Sequence, residues 1–225
     1  MNKKQLMRVT NYYRALNKLR AIGLERVFAH NLSDAAGVTA TIVRKDFSQL
    51  SIHGQKRGGY QIVELIDALS TILGKGEEQN AVIVGCGRIG LALMHYNGFE
   101  ADGIRIVAGF DNDPVVYSDP SQPISIYPSS RLEEICTTMN AKVAIITVPE
   151  SSATDTYKKI IDAGIDGVLN FSPVTLKPQK ISDDRISIVH NINVSLSIEQ
   201  IFYELKFPTK PNSSATSVES MVESK

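Results

Sequence analysis

A short apolar run leads directly into a glycine-rich turn near the middle of the chain. The segment AVIVGCGRIG carries Gly85, Gly87 and Gly90 in the spacing GxGxxG, and a helical pattern follows it. In such a strand–turn–helix unit the first glycine permits a tight turn, the second lets a pyrophosphate approach the backbone, and the third lets helix and strand pack closely. Free N–H groups at the helix N-terminus suit phosphates. The pattern predicts a dinucleotide site. The alternative is a turn that binds nothing, or another nucleotide such as coenzyme A.

Strand and helix patterns alternate along the chain from Asn80 onward. The apolar runs IRIVAGF, VAIITVP and DGVLNF are separated by amphipathic segments. This alternation is typical of an α/β fold with a parallel, doubly wound Rossmann-type sheet. A last amphipathic helix is predicted over about 194–206.

The loops that follow the predicted strands supply the other candidate cofactor ligands. Asp111 ends the second strand, about where an acidic side chain accepts hydrogen bonds from the adenosine ribose. No arginine directly follows it, so NAD(H) is favoured over NADP(H). Cys86 lies in the turn, where a small side chain is tolerated; a thiol beside a helix N-terminus can also have a lowered pKa. The cofactor-binding residues predicted from these patterns are Gly85, Cys86, Gly87, Arg88, Ile89, Gly90, Asp111, Asp113, Thr147, Val148, Pro149, Asn170 and Phe171.

The first 60 residues follow a different pattern. Leu6, Val9, Tyr13 and Leu16 recur at helical spacing in a helix predicted over about 5–22. A short helix ending near residue 36 and a glycine turn come next. Thr39 is then a good N-cap for a third helix. The glycine-rich, basic segment SIHGQKRGGYQI resembles a hairpin or wing. This order predicts a winged helix-turn-helix.

Charge supports a nucleic-acid partner for this region. Residues 1–60 contain eleven Lys or Arg and three Asp or Glu, although the whole chain has a formal net charge of zero. A basic module in an otherwise acidic chain suits a polyanion. The third helix is predicted to enter the major groove, and the wing tip to reach a minor groove or phosphates. The predicted DNA-binding residues are Thr39, Thr41, Arg44, Lys45, Ser48, Lys56 and Arg57.

These patterns divide the chain into four parts. We predict a winged-helix domain over 1–76, a Rossmann domain over 77–192, a C-terminal helix over 193–206 and a disordered tail over 207–225. Apolar residues make up 43% of the chain, which is enough for packed cores. The sequence has two cysteines, no signal-peptide pattern and no apolar run of membrane-spanning length, so a cytoplasmic protein without a membrane partner is expected.

The motifs together resemble the family of redox-sensing transcriptional repressors called Rex, from Arg8 to about Leu205. The first-helix segment RVTNYYRALNKLRAIG and the recognition segment LSDAAGVTATIVRKDFS are similar to that family. VGCGRIG, GFDNDP, ITVP and LNFSPV follow in the family's order. The resemblance implies a homodimer with an exchanged C-terminal helix. It also implies binding to palindromic operator DNA that is released when NADH binds.

Three residues would connect the two activities if the resemblance holds. Tyr96 matches a tyrosine near the nicotinamide, linked to an arginine that corresponds to Arg14 and to an aspartate before the last helix. That last position is Asn193, which cannot form a charged pair with Arg14. The wing and Ile42 in the recognition helix also depart from the family pattern. These departures leave open a DNA-binding dimer with a weakened redox response.

An NAD-dependent oxidoreductase is the other alternative. An enzyme needs a positioned acid or base beside its cofactor. The four histidines form no recognisable constellation, and the basic N-terminal region does not suit a catalytic domain. We therefore predict no catalytic residue and no metal site.

Overall fold

A computed structural model of the chain describes residues 1–55, 58–76 and 78–207. The described chain forms two compact units. The first unit contains Met1–Ala81, His95–Val107 and Met139–Ala141. The second contains Val82–Met94, Ala108–Thr138 and the chain from Lys142 onward. The domain limits given above remain predictions.

The N-terminal part consists of four helices and a small antiparallel sheet. The helices are α1 (Lys3–Ala21), α2 (Ala29–Ala36), α3 (Ala40–Gln49) and α4 (Ile62–Ile72). The strands β1 (Arg26–Val27) and β2 (Tyr60–Gln61) pair antiparallel, and Gln55 bridges Gly59 just before β2. Gly59 has a φ of 67°. A side chain there would also lie 2.5 Å from the Val27 carbonyl oxygen, so the wing needs this glycine. The predicted winged-helix fold is confirmed.

The core of this part is made by one face of each helix. Its buried side chains are Val9, Tyr12, Leu16, Val27, Ala29, Leu32, Val43, Phe47, Ile62, Leu65, Ile66 and Leu69. The buried face of α1 differs from the predicted one. Leu6 is exposed and Tyr13 is only partly buried, whereas Gln5 and Tyr12 are buried. The polar atoms of Gln5 and Tyr12 have partners inside the unit, which permits their burial.

The rest of the chain is built around a six-stranded sheet. Its strands are β3 (Gln79–Val84), β4 (Ile104–Asp111), β5 (Ile126–Pro128), β6 (Val143–Ile146), β7 (Gly167–Asn170) and β10 (Ile188–Asn191). They lie in the order β10-β7-β6-β3-β4-β5. The pairs β10–β7, β7–β6 and β4–β5 run parallel. The order reverses between β3 and β6, as in dinucleotide-binding sheets. The predicted Rossmann-type fold is confirmed.

Between residues 78 and 207, the described chain contains six α-helices besides these strands. They are α5 (Arg88–Met94), α6 (Gly98–Ala101), α7 (Pro114–Tyr117), α8 (Leu132–Thr138), α9 (Glu150–Asp162) and α10 (Val194–Lys206). A small hairpin, β8 (Lys180–Ser182) with β9 (Arg185–Ile186), precedes β10. The hairpin, β5 and β10 were not predicted from the sequence. The last helix has the predicted bounds.

Candidate functional site

A cleft of about 600 Å³ lies at the carboxyl ends of β3, β4 and β6 in the second unit. Ligands of open α/β sheets bind in this position, outside the strand ends where the strand order reverses. The cleft is lined by Val84, Gly85, Gly87, Ile89, Asp111, Asn112, Asp113, Ser129, Thr147, Val148, Pro149, Ser152, Thr156, Phe171 and Pro173. Nine of these residues are among the predicted cofactor ligands.

The three glycines of the turn have different structural roles. Gly85 has a φ of 95°, and a Cβ there would lie 2.7 Å from Val148 Cγ1. A Cβ on Gly90 would lie 2.1 Å from the Gly85 carbonyl oxygen. Gly87 is exposed, and a Cβ there would meet no atom within 4 Å. The fold itself needs Gly85 and Gly90. Gly87 instead leaves open space in the cleft, as expected where a pyrophosphate approaches the backbone.

Cys86 faces away from the cleft although it belongs to the turn. Its side chain is fully buried, and its thiol lies 3.5 Å from the Phe110 carbonyl oxygen. Burial, followed by the charge of Asp111, raises the pKa of the Cys86 thiol to about 12. The thiolate is the reactive form, so this cysteine is an inert packing residue at neutral pH.

Asp111 holds the turn in place. One carboxylate oxygen accepts a hydrogen bond of 2.7 Å from the Cys86 backbone N–H. The other accepts one of 2.9 Å from the Asp113 N–H. A carboxylate has about four acceptor positions, so capacity remains for ribose hydroxyls. Asp113 caps α7 by accepting from the Val115 N–H at 2.9 Å.

The loops after β6 and β7 form another side of the cleft. The Thr147 hydroxyl donates to the Gly85 carbonyl oxygen, which ties the loop after β6 to the glycine turn. Asn170 is fully buried. Its amide nitrogen donates to the Val174 carbonyl oxygen, and its amide oxygen accepts from the Ser172 N–H at 2.9 Å. Asn170 therefore shapes the loop that carries Phe171.

Not every predicted cofactor residue lines this cleft. Cys86, Gly90 and Asn170 are buried and support the loops, while Arg88 is exposed at the start of α5. Tyr96 belongs to the first unit, where its ring packs edge-on against Phe99 at a centroid distance of 5.2 Å. Its predicted role near the nicotinamide stays a prediction.

Sequence reasoning missed several hydroxyl and amide side chains in the cleft. Ser152 and Thr156 lie on the first two turns of α9. Ser129 follows β5, and Asn112 follows Asp111. Ser152 and Thr156 were accessible to prediction, because the helix after β6 begins at the edge of the sheet where ligands bind. Ser129 was not, since the three-residue strand before it shows no periodic pattern.

The exposed face of α3 carries the predicted base-reading residues. Thr41, Arg44, Lys45 and Ser48 are exposed on this helix, opposite the buried Val43 and Phe47. Thr39 is also exposed and caps the helix, its hydroxyl accepting from the Ile42 N–H at 3.4 Å. The predicted wing residues Lys56 and Arg57 lie outside the described residues.

A buried carboxylate fixes α3 against α1. Asp46 is 2% exposed and accepts hydrogen bonds of 2.7 Å from Arg8 Nε and 2.7 Å from Arg8 Nη2. It also accepts one of 3.0 Å from the Tyr12 hydroxyl. Burial raises the pKa of Asp46, but the hydrogen bonds from Arg8 and Tyr12 outweigh it, so the pKa lies below its ordinary value. Burial raises the pKa of Tyr12 to about 12.

The three residues predicted to connect cofactor binding with DNA binding have separate partners in the structure. Arg14 donates two hydrogen bonds to the carboxylate of Asp102, both within the first unit. Asn193 caps α10, its side-chain oxygen accepting from the Leu196 N–H at 2.9 Å. The predicted linkage of Arg14, Tyr96 and Asn193 stays a prediction.

Two negative findings apply to residues 1–55, 58–76 and 78–207. These residues contain no group of three or more His, Cys, Asp or Glu side chains placed to hold a metal ion. Within the same ranges, none of the helices combines the length and the apolar character that crossing a lipid bilayer requires.

Comparison with known proteins gives separate family matches for the N-terminal helices and for the region of the sheet. Residues 3–48 match a family model described as "Putative DNA-binding protein N-terminus". Residues 76–174 match one described as "CoA binding domain". A redox-sensing transcriptional repressor Rex from Listeria welshimeri serovar 6b is 35% identical over 204 residues, which cover 90% of this chain and 93% of that protein. The chain belongs to the Rex family.

Solved structures of the Rex-family repressor RSP match nearly the full length of the chain. The crystal structure of the Rex-family repressor RSP with β-NAD⁺ and operator DNA superposes with a TM-score of 0.77 and 28% identity, covering 93% of this chain and 99% of that one. RSP in complex with β-NADH has a TM-score of 0.72 and 28% identity, covering 92% and 94%. The similarity to this Rex protein therefore includes both the N-terminal helices and the sheet.

Proposed function

We propose that the chain is a redox-sensing transcriptional repressor that binds operator DNA and releases it when NADH binds. One observation carries the proposal: a single chain presents both an exposed basic helix face and an open, glycine-lined cleft at the end of a parallel sheet. The exposed basic helix face has no role in an NAD-dependent oxidoreductase. We assign no catalytic residue, and we propose the cytoplasm as the location.

NAD(H) is the proposed ligand of the cleft. Gly87 leaves space for a pyrophosphate, and Asp111 has acceptor positions left for the ribose. A 2′-phosphate would meet the charges of Asp111 and Asp113, which disfavours NADP(H). RSP, the similar Rex-family protein, was solved with β-NAD⁺ and with β-NADH. Coenzyme A, named in the matching family model, is the competitor to test.

Operator DNA is the proposed partner of α3. Its exposed Arg44 and Lys45 suit guanine edges and phosphates, and Thr41 and Ser48 suit either base edges or the backbone. Because phosphate contacts release counterions, operator affinity is expected to fall steeply with salt. We extend the proposal to Lys56 and Arg57 because they are the two adjacent basic residues of the glycine-rich segment that predicts the wing.

A homodimer is the proposed assembly, with α10 exchanged between subunits. Eight large apolar side chains of this helix and its C-cap are exposed, and an apolar patch of this kind is typical of a surface that a partner covers. They are Val194, Leu196, Ile198, Ile201, Phe202, Tyr203, Leu205 and Phe207. Two copies on a palindromic operator would match the two-fold symmetry of such a site.

The test is the affinity for a labelled fragment from upstream of the chain's own gene, measured with NADH, NAD⁺ or coenzyme A. NADH alone is expected to release the DNA. Gly87→Val is expected to bind DNA normally but to ignore NADH, since its side chain fills the space of the pyrophosphate. Gly76→Val is the matched control, because a Cβ there also meets open space but lies outside the cleft. DNA binding that is indifferent to NADH in the wild type would contradict the proposal.

A further inference from the structure

Arg14 is paired with a carboxylate that the family resemblance does not supply. Its Nε donates to Asp102 Oδ1 at 2.9 Å and its Nη2 to Asp102 Oδ2 at 2.5 Å. This two-point geometry is the strongest that a guanidinium makes with a carboxylate. The resemblance places the acidic partner at position 193, but Asn193 is neutral and caps α10. Asp102 therefore gives Arg14 a charged partner within the same chain.

Asp102 is also held from a second direction. Its backbone carbonyl oxygen accepts a hydrogen bond from Lys75 Nζ, beyond the end of α4. The same ammonium group lies 5.0 Å from the centre of the Tyr13 ring on α1, a cation–π distance. Two positive side chains thus attach the turn at Asp102 to α1 and to the end of α4.

The segment that contains Asp102 is bounded in sequence by elements of the cleft. Residues 95–107 follow α5 directly, and α5 carries Ile89 of the glycine-rich turn. They continue into β4, which ends at Asp111. The cleft is lined by Ile89 and Asp111, so the chain joins residues 95–107 at both ends to elements that line the cleft. Residues 95–107 nevertheless belong to the first unit.

Helix α1, which binds Asp102 through Arg14, also contacts α3, the proposed recognition helix. Arg8 and Tyr12 of α1 bind the buried carboxylate of Asp46 on α3. Arg14 follows Tyr12 by two residues, so the same turns of α1 carry both attachments. A movement of α1 at Arg14 would therefore act on α3 through Arg8 and Tyr12.

We propose that Asp102 is a positioning residue that couples NADH binding to operator release in this chain. The inference rests on the proposed function. The pair with Arg14 connects the cleft-bounded segment 95–107 to α1, and α1 connects it to α3. Breaking the pair should leave both binding sites intact and weaken the influence of one on the other. Coupling is measured as the ratio of operator Kd with NADH to operator Kd with NAD⁺.

Exposure of the Arg14–Asp102 pair to solvent limits how much it can contribute to the coupling. The Arg14 side chain is 52% exposed and that of Asp102 is 27% exposed. Partly exposed ion pairs contribute modestly, so the coupling ratio is expected to fall about fivefold rather than vanish. The direct affinities for NADH and for operator with NAD⁺ are expected to stay close to those of the wild type.

The experiment compares this coupling ratio in the full-length wild type, Asp102→Asn, Arg14→Gln, and the double variant Arg14→Asp with Asp102→Arg. The matched control is Glu134→Gln, which breaks another two-point arginine pair, with Arg131, outside the cleft. We expect a reduced ratio in both single variants, partial recovery in the charge-reversed double variant, and a wild-type ratio in the control.

The outcomes separate this inference from the proposed function. A wild type that ignores NADH refutes the proposed function. A wild type that responds, together with an unchanged ratio in Asp102→Asn, refutes only the role of Asp102. The same holds if Asp102→Asn weakens operator binding equally with both cofactors, because the pair is then merely structural. A double variant that responds no better than the single variants also counts against the pair.

Discussion

The substitution Asp46→Ala tests how α3 is held against α1. Asp46 is 2% exposed and accepts three hydrogen bonds, two from Arg8 and one from Tyr12. Alanine keeps the helix propensity of α3 and removes the carboxylate alone. Arg8 then loses its partner, and the hydroxyl of the fully buried Tyr12 loses its acceptor.

The expected cost follows from these two losses. An unsatisfied buried hydroxyl costs about 1–3 kcal/mol. Removing one member of a buried ion pair costs about 3–5 kcal/mol. The Arg8 side chain is 24% exposed, so its charge reaches water and the lower part of that range applies. We expect the free energy of unfolding to fall by about 2–4 kcal/mol. Asp46→Asn retains an acceptor for Tyr12 and is expected to lose less.

The pH dependence gives an independent signature of the same contact. The pKa of Asp46 in the folded chain lies below its ordinary value of 3.8, so the carboxylate contributes stability above that value. That contribution is lost as the pH falls through the folded-state pKa, below 3.8. The stability difference between wild type and Asp46→Ala should therefore be constant near neutrality and shrink in strong acid.

Urea unfolding followed by circular dichroism, with amide hydrogen exchange over residues 3–49, measures the effect. Asp67→Ala is the control, because Asp67 is an exposed aspartate on α4 of the same unit. Hydrogen exchange should become faster in α1 and α3 of Asp46→Ala and stay unchanged in the control. An Asp46→Ala protein as stable as the wild type would show that these hydrogen bonds do not hold α3 against α1.

Three further predictions concern the two sites. Arg44→Ala and Lys45→Ala should each weaken operator binding by about 1–3 kcal/mol in a gel-shift or polarisation assay, and wild-type affinity in both would remove α3 from the interface. Cys86 should resist alkylation by iodoacetamide at mildly alkaline pH until the chain is unfolded, because burial raises the pKa of its thiol to about 12; rapid modification of the native protein would contradict this. Gly90→Ala should destabilise the protein by about 1–3 kcal/mol because the new methyl group meets the Gly85 carbonyl oxygen, whereas Gly87→Ala should not; equal melting temperatures would show that the turn can shift.

Local patterns predicted much of the fold. The N-cap at Thr39 and the bounds of α10 agree with the structure, because capping residues and amphipathic spacing are encoded within a few neighbouring positions. The strands β5 and β10 and the hairpin of β8 and β9 are two to four residues long, too short for a periodic signal.

Ion pairs between residues far apart in the sequence could not be predicted from it. Arg8 pairs with Asp46 and Arg14 pairs with Asp102, and the sequence indicates neither partner. Residues 38 and 88 positions apart meet only because the tertiary fold brings them together. The same fact explains the buried face of α1, since Tyr12 enters the core through its hydrogen bond to Asp46.

The residues that line the candidate cleft were predicted better than the roles of the buried residues that hold its loops in place. Glycine spacing and strand ends predicted Gly87, Asp111 and Thr147, all of which line the cleft. The different roles of the glycines could not be predicted from their spacing. Only the folded structure shows that a side chain at Gly90 would meet the backbone, whereas one at Gly87 would meet open space.

Reciprocal linkage between cofactor and DNA tests the central proposal most directly. If NADH weakens operator binding by a given factor, operator DNA must weaken NADH binding by the same factor. Isothermal titration of NADH into the free protein and into the protein–operator complex measures that factor, with NAD⁺ as the control. We expect weaker NADH binding to the complex and no such loss for NAD⁺. Equal NADH affinity with and without operator would contradict it.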